Sequence, residues 1–240
     1  MHLFTLYYLL KVILINQSFL PDLADAESDD DSNDYDNFYK KFDFPSNICE
    51  HVKTPVRDQL LVQVFKKSGS LNIICDTRSD GGRWLLFQSL SFKARSFNAN
   101  WEAFKGGFGN DYTDFWLGNE FLHRLTTFDN YEFRYDMKMN GQSYYAQYDH
   151  FKVFDENHSY QLEIGQYIGG NTTTDLKKHN GAAFSTRDRD NDKSEGSCAE
   201  TYQAGWWYTD CGPLILNSPQ AEDNETRSIV FLKMRLHLDD

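Results

Sequence analysis

An alternating series of acidic residues lies near the carboxyl-terminal end, with the sequence Asp188-Arg189-Asp190-Asn191-Asp192-Lys193-Ser194-Glu195-Gly196. Carboxylates at every second position of an irregular segment supply hard oxygen ligands that can converge on Ca²⁺. The segment is not an EF-hand, because counting from Asp188 puts Lys193 where that motif needs glycine and Ala199 where it needs glutamate. A solvent-exposed turn without a metal is the alternative interpretation. The segment therefore indicates a candidate calcium site.

Four cysteines accompany this segment, and their even number allows two disulfide bonds. Cys49 and Cys75 are 26 positions apart, while Cys198 and Cys211 are 13 apart, and three pairings are open. Closing the two local loops is the simplest, and each such bond removes about 3 kcal/mol of unfolded-chain entropy. The aromatic run Trp206-Trp207-Tyr208 lies inside the second loop. It is either core or a stacking surface for sugars or acetyl groups, and core is the favoured interpretation.

The sequence lacks the motifs of the common enzyme classes. It has no G-x-S-x-G, no H-E-x-x-H and no G-K-[ST] loop. Its histidines, such as His123 and His179, are not spaced as acid–base partners and are interpreted as structural hydrogen-bonding residues. The chain is therefore predicted not to be an enzyme.

The amino-terminal end predicts export from the cell. Residues 3–15 are mostly apolar but too short for a span of about 20 residues, so residues 1–21 are interpreted as a signal peptide cleaved between positions 18 and 26. An uncleaved anchor is the alternative. Residues 22–45 are interpreted as a disordered linker, because eight acidic and no basic residues lie between positions 22 and 39. The mature chain is predicted to be secreted and extracellular, without a membrane span.

Composition and charge narrow the class of partner. The 240 residues carry a net charge of −12, which argues against nucleic acid as a partner.

Three N-x-S/T sequons, at Asn157, Asn171 and Asn224, fall in polar stretches and predict an N-glycoprotein.

The middle of the chain predicts an antiparallel meander. Residues 131–139 alternate between apolar and polar side chains, which indicates a half-buried strand, and Asn140-Gly141 is a strong hairpin signal. A return strand is expected over 143–154 and a third strand over 160–164. Short helical patterns precede the meander around Trp101 to Phe104 and Glu120 to Leu125, and the chain after Gly165 reads as irregular. The fold class is therefore predicted to be α+β, with a twisted antiparallel sheet and short helices.

Many motifs in this order resemble a fibrinogen C-terminal, or fibrinogen-related, domain, and the chain as a whole is similar to the secreted insect members. The matching segments cover residues 49–211 and predict a domain over 46–240; they are Cys75-Asp76, Gly81-Gly82-Arg83-Trp84, Asn100-Trp101-Glu102-Ala103-Phe104-Lys105, Gly107-Phe108-Gly109-Asn110, Phe115-Trp116-Leu117-Gly118-Asn119-Glu120, His179-Asn180-Gly181, Phe184-Ser185-Thr186, and Cys198-Ala199 through Gly205-Trp206-Trp207-Tyr208 to Cys211.

The resemblance implies a set of bonds and ligands. The disulfides would be Cys49–Cys75 and Cys198–Cys211, with a cis peptide between Asp210 and the last cysteine. Calcium would be held by the side chains of Asp190 and Asp192 and by the main-chain carbonyls of Ser194 and Gly196. The ligand pocket would lie at Tyr208, Asp210, Cys211 and Gly212.

The end of the chain departs from the family pattern. Gly212 stands where ligand-binding members usually have histidine, and residues 214–226 contain no aromatic side chain. The tail is shorter than the family's by about a dozen residues, and a closing strand is expected near residues 231–234. The predicted function is lectin-like recognition of acetylated or carbohydrate groups in innate immunity. The alternative is an extracellular signalling or adhesion ligand that binds a cell-surface protein and has lost its sugar pocket.

Overall fold

The computed structural model describes residues 11–12, 49, 59–66, 69–91, 97–110, 114–172, 176–212, 216–217 and 227–237. The predicted signal segment and acidic linker lie outside these residues, apart from Lys11–Val12. The departing tail is also outside them, except for Gly212 and residues 216–217. In this described part of the chain, no helix is long and apolar enough to cross a bilayer.

The described strands form one antiparallel sheet with the spatial order β1-β2-β3-β4-β11-β7-β8-β10; β6 also pairs with β4 and β5, and β9 with β8. The strands are β1 (Lys11–Val12), β2 (Gln59–Lys66), β3 (Gly69–Asp76), β4 (Trp84–Ser91), β5 (Phe108–Gly109), β6 (Phe115–Trp116), β7 (Tyr131–Met139), β8 (Gln142–Val153), β9 (Leu162–Ile164), β10 (Tyr167–Gly170) and β11 (Arg227–Leu236).

The described residues also form three short α-helices beside this sheet, which makes the fold α+β as the sequence predicts. They are α1 (Trp101–Gly106), α2 (Asn119–Phe128) and α3 (Cys198–Tyr202). Helix α1 begins where the Asn100 side chain accepts a hydrogen bond from the Ala103 N–H, a standard N-cap. Single 3₁₀ turns occur at Ser79–Gly81, Glu156–His158 and Leu176–His179.

The predicted meander is present with its expected turn. Strands β7 and β8 pair from Met139 opposite Gln142, and the two turn residues Asn140 and Gly141 both have positive φ, as the tight hairpin requires. The prediction of a half-buried strand is wrong for part of β7, because Glu132 and Arg134 on the polar face are buried as well. Glu132 is paired with Arg235 on the neighbouring strand β11, and Arg134 is paired with Asp136 on β7 itself.

The last strand lies in the middle of the sheet. Strand β11 pairs with β4 on one side and with β7 on the other, so the end of the chain joins the two halves of the sheet. Lys233 on this strand is buried and its ammonium lies 2.6 Å from Asp76 Oδ2 on β3 and 2.6 Å from Asp136 Oδ2 on β7. Three strands are therefore tied together by one buried cation.

Aromatic side chains form the centre of the core, which supports the core interpretation of the tryptophan run. Trp116 contacts the rings of Phe87, Phe104, Phe184 and Trp207, with centroids 5.6–6.0 Å apart. Because these residues come from β4, α1, β6 and the irregular region, the core joins the sheet to the carboxyl-terminal part of the chain.

Candidate functional site

Residues 184–212, called here the carboxyl-terminal lobe, have little regular structure beyond α3. Two disulfide bonds are formed, Cys49–Cys75 in the sheet region and Cys198–Cys211 in this lobe, and this is the pairing that the resemblance implies. The side chain of Ser197 caps α3 by accepting the Glu200 N–H. The lobe is therefore held by cross-links and side-chain hydrogen bonds in place of a sheet.

Asp190 and Asp192 face one another in the segment of residues 186–197, called here the aspartate loop. Asp190 Oδ1 accepts the Asp192 N–H at 3.1 Å. The Asp192 carboxylate accepts two further N–H groups, from Ser194 at 2.8 Å and from Cys198 at 2.9 Å. The loop is thus wound around the Asp192 side chain, next to the disulfide.

Charge is disfavoured at Asp192. Burial raises the pKa of this carboxyl group, and the neighbouring Asp190 raises it further, while the two N–H donors act in the opposite direction. A divalent cation would stabilise both carboxylates at once, because it replaces like-charge repulsion with attraction.

The carbonyl groups predicted to complete the calcium site are available. Within the described residues, neither the Ser194 nor the Gly196 carbonyl accepts a hydrogen bond. The described residues contain no group of three or more His, Cys, Asp or Glu side chains placed to hold a metal, so the candidate site depends on two carboxylates and on main-chain oxygens. This all-oxygen donor set fits Ca²⁺.

Asp188 anchors the aspartate loop. Its Oδ1 accepts the Trp101 N–H at 2.9 Å, where α1 begins, and the Thr186 hydroxyl at 2.7 Å. Asn191 is a second anchor, since its Nδ2 donates to the Phe184 carbonyl at 2.7 Å. Asp188 therefore anchors the loop, whereas Asp190 and Asp192 face one another. The equal spacing of these acids in the sequence does not reveal this difference.

A cluster around Glu156 connects the loop to α1, and sequence reasoning missed it. Glu156 accepts hydrogen bonds from Trp101 Nε1 and Lys105 Nζ, both at 2.7 Å. Arg189 lies 3.9 Å from the Trp101 ring and 3.7 Å from the Glu156 carboxylate. Burial alone would raise the pKa of Glu156, but the donors of Lys105 and Trp101 bring its pKa below the usual value. No sequence motif links these three segments.

The side chain of Tyr208, a predicted ligand-pocket residue, lies inside the lobe. It is 1% exposed, and its hydroxyl donates to the Ala204 carbonyl at 2.8 Å. Its ring stacks on that of Tyr202, whose own hydroxyl donates to the Cys211 carbonyl at 2.7 Å. Tyr208 therefore supports the disulfide-bonded end of the lobe from within.

The backbone donors near the disulfide are engaged within the chain. The Cys211 N–H donates to Ser194 Oγ at 3.2 Å, and the Gly212 N–H donates to the Asp210 carbonyl at 2.6 Å. The peptide between Asp210 and Cys211 is trans, so the expected cis peptide is wrong for this structure. Asp210 itself is exposed. Of the four predicted pocket residues, Asp210 offers an exposed charged side chain.

His179 is buried and structural, in agreement with its sequence interpretation. Its Nδ1 lies 2.8 Å from the Trp207 carbonyl, and Trp207 Nε1 donates to the Tyr160 carbonyl at 2.7 Å. Two predicted glycosylation residues, Asn157 and Asn171, are exposed, whereas Asn224 lies outside the described residues.

Comparison with known proteins gives a consistent set of matches. A family model described as the C-terminal globular domain of fibrinogen beta and gamma chains matches residues 51–234. Human tenascin-R is 37% identical over 199 residues, which are 82% of this chain and 15% of that protein. Chicken tenascin-R is 36% identical over 170 residues, 71% of this chain and 12% of that one. The chain thus spans a small part of these relatives.

Solved structures show the same architecture. The fibrinogen-like globe domain of human ANGPTL2 superimposes with a TM-score of 0.69 at 27% identity, covering 81% of this chain and all of that one. The lamprey fibrin D-dimer, complexed with the peptide Gly-His-Arg-Pro-amide, gives 0.67 at 26% identity and covers 81% and 74% of the two chains.

Proposed function

Since this chain belongs to the fibrinogen C-terminal domain family, we propose that it is a secreted, non-enzymatic recognition domain whose carboxyl-terminal lobe is ordered by Ca²⁺ and binds an extracellular protein. A protein ligand is favoured over a sugar because the N–H groups of Cys211 and Gly212 already donate hydrogen bonds within the chain. The secreted insect type stays a prediction from the sequence.

Asp190, Asp192 and the carbonyls of Ser194 and Gly196 are the residues that would hold calcium in this proposal. Bound Ca²⁺ would supply positive charge to two carboxylates that otherwise repel one another. Because the Cys211 N–H also donates to the Ser194 hydroxyl, the segment 190–196 supports the disulfide-bonded end of the lobe as well. Calcium thus serves the shape of the recognition surface and takes part in no reaction.

An acetyl or sugar carbonyl would need N–H donors that already form hydrogen bonds within this lobe. Binding one at Cys211 would break the hydrogen bond to Ser194 Oγ, and binding one at Gly212 would break the bond to Asp210. Replacing an existing hydrogen bond with one to a ligand gains little free energy. The aromatic rings of Trp206, Trp207 and Tyr208 are all buried, so none is presented for stacking on a sugar.

A protein ligand suits the remaining surface of the lobe. Asp210 is exposed beside the disulfide, and its carboxylate is contacted within the chain by the Thr209 hydroxyl at 3.3 Å. A charged side chain on a rigid, cross-linked segment can pair with a basic residue of a partner at little entropic cost. The peptide bound in the lamprey fibrin structure shows that a neighbour of this fold accepts a peptide ligand.

The expected result is binding to a cell-surface or matrix protein that survives removal of glycans. The labelled protein, with calcium, is applied to cells and matrix of the source organism after protease treatment or after enzymatic deglycosylation. Protease should abolish binding, and deglycosylation should leave it unchanged. Asp210→Lys should weaken binding by about tenfold, or about 1.4 kcal/mol, whereas the exposed Asp129→Lys on the end of α2 is the matched control.

Two outcomes would contradict the protein-binding proposal. One is retention of the protein on immobilised N-acetylglucosamine in the presence of calcium, with elution by the free sugar or by acetate. The other is loss of cell binding after deglycosylation alone. Either result would favour the lectin-like function in innate immunity that the sequence predicts.

A further inference from the structure

The sheet has an open edge formed by β10 and by the first residues of β8. Strand β10 pairs with β8 through residues 146–148, and in the described part of the chain no strand pairs with its other side. On the same side, no described strand pairs with residues 142–145 of β8, where Asn171 alone forms hydrogen bonds with Ser143 and Tyr145. An unpaired strand edge offers N–H and C=O groups to any second strand.

The side chains along this edge do not protect it by charge. Neither Gln142–Tyr145 nor Tyr167–Gly170 contains Lys, Arg, Asp, Glu or Pro. Tyr167 and Ile168 are 44% and 49% exposed, and they are two of the three large hydrophobic residues exposed among the described residues. Proteins ordinarily blunt such edges with charges, proline or a covering segment. A register shift at Ile168 twists β10 but leaves its side chain in solvent.

Asn171 stands where the open edge passes from β10 to β8. Its N–H donates to the Tyr145 carbonyl at 3.1 Å, and its Oδ1 accepts the Tyr145 N–H at 2.8 Å. Its Nδ2 donates to the Ser143 carbonyl at 3.0 Å, yet the residue is exposed. The Nδ2 atom has two hydrogens, so a sugar attached there leaves one for Ser143.

We propose that Asn171 carries an N-linked glycan that covers this open edge and prevents two copies of the chain from pairing along it. Asn171-Thr172-Thr173 is a complete acceptor sequence. A bulky, hydrated glycan fixed to the middle of the edge lies beside both uncharged segments, where a second copy would add its strand. The proposal rests on the secreted location in the proposed function, because the acceptor sequence is read in the secretory pathway.

Two single substitutions distinguish the effect of the glycan from the effect of the Asn171 side chain. Thr173→Ala removes the acceptor sequence but keeps Asn171 and its three hydrogen bonds, while Thr172→Ala keeps the acceptor sequence and is the matched control. Ser159→Ala removes the acceptor sequence of Asn157, which lies away from the edge in the turn Glu156–His158. All proteins are purified from a secreting eukaryotic host, and glycan occupancy is measured by mass spectrometry.

Thr173→Ala is expected to self-associate, with a concentration-dependent doubling of the mass measured by light scattering, while the wild type, Thr172→Ala and Ser159→Ala stay monomeric. Adding Ile168→Lys to Thr173→Ala should restore the monomer. Should Thr173→Ala fail to fold, trimming the folded wild type with an endoglycosidase should produce the same dimer. An unglycosylated Asn171 in the secreted wild type, or a monomeric protein after the glycan is removed, would overturn the proposal. Neither result bears on ligand binding, which the cell-surface assay measures, or on calcium binding, which thermal unfolding across a calcium titration measures.

Discussion

Replacing Lys233 with alanine is expected to lower the free energy of unfolding by about 3–5 kcal/mol, because the change leaves a buried carboxylate without its cation. The Lys233 side chain is 3% exposed, and its ammonium contacts Asp76 and Asp136 at 2.6 Å and Ser79 Oγ at 2.8 Å. Asp76 is buried with it. Equilibrium denaturation at neutral pH measures the loss.

The matched control is Lys138→Ala, which removes an exposed lysine from the neighbouring strand β7 and should change stability by no more than about 0.5 kcal/mol. A loss from Lys233→Ala no larger than that of the control would contradict the ion-pair account of the sheet centre.

The pH dependence of this effect has a definite sign. Burial by itself raises the pKa of Asp76, but the hydrogen bond and charge of Lys233 and the donors of Ser79 outweigh it and bring the pKa below its usual value. A carboxyl group with a lowered folded-state pKa stabilises the fold above its unfolded pKa of about 3.9 and loses that contribution as the pH falls. The difference between wild type and Lys233→Ala should therefore narrow in acid.

Trp207→Ala is expected to cost about 3–5 kcal/mol, the range for emptying a tryptophan site in a packed core. The Trp207 ring lies 5.1–5.9 Å from those of Phe184, Trp206 and Trp116, and its Nε1 donates to the Tyr160 carbonyl. The change creates a cavity and leaves a buried carbonyl without its donor. Thermal or chemical unfolding measures the cost.

Two further variants make the tryptophan prediction specific. Trp207→Phe keeps a ring and loses the N–H, so it should fold and show a loss between those of the wild type and Trp207→Ala. Phe128→Ala removes a side chain that is 85% exposed and should be near neutral. Equal effects of Trp207→Ala and Phe128→Ala would show that the lobe is not packed on the sheet as described.

Local patterns in the sequence predict the β7–β8 hairpin because all of its determinants lie within the hairpin. Alternating side chains set the faces of β7, and Asn140-Gly141 supplies the two positive φ angles. The position of β11 between β4 and β7 is different, since it depends on contacts between residues at least 88 positions apart. No periodicity within residues 227–236 encodes which strands will lie beside it.

In the aspartate loop, too, the local sequence predicts some features and contacts between distant residues determine the others. Alternation of acids predicts oxygen ligands, but Asp188 and Asp190 are equivalent in that pattern. In the structure Asp188 accepts the Trp101 N–H at the start of α1, whereas Asp190 faces Asp192. The difference arises because Asp188 contacts Trp101, which lies 87 positions away in the sequence. The hydrogen bond from the Cys211 N–H to Ser194 likewise joins residues that are 17 positions apart. Residue types therefore indicate the chemistry, and tertiary contacts decide which residue performs it.

Calcium is expected to stabilise the folded lobe through Asp190 and Asp192, and thermal unfolding across a calcium titration measures this effect. Free calcium at about 100 times its dissociation constant should raise wild-type stability by about 2.7 kcal/mol, because the ion binds only the folded state. The control Glu195→Gln, which removes an exposed acid from the same loop, should respond like the wild type. D190N/D192N should show no calcium response. A wild type that calcium does not stabilise, or a double variant that it stabilises equally, would contradict the account.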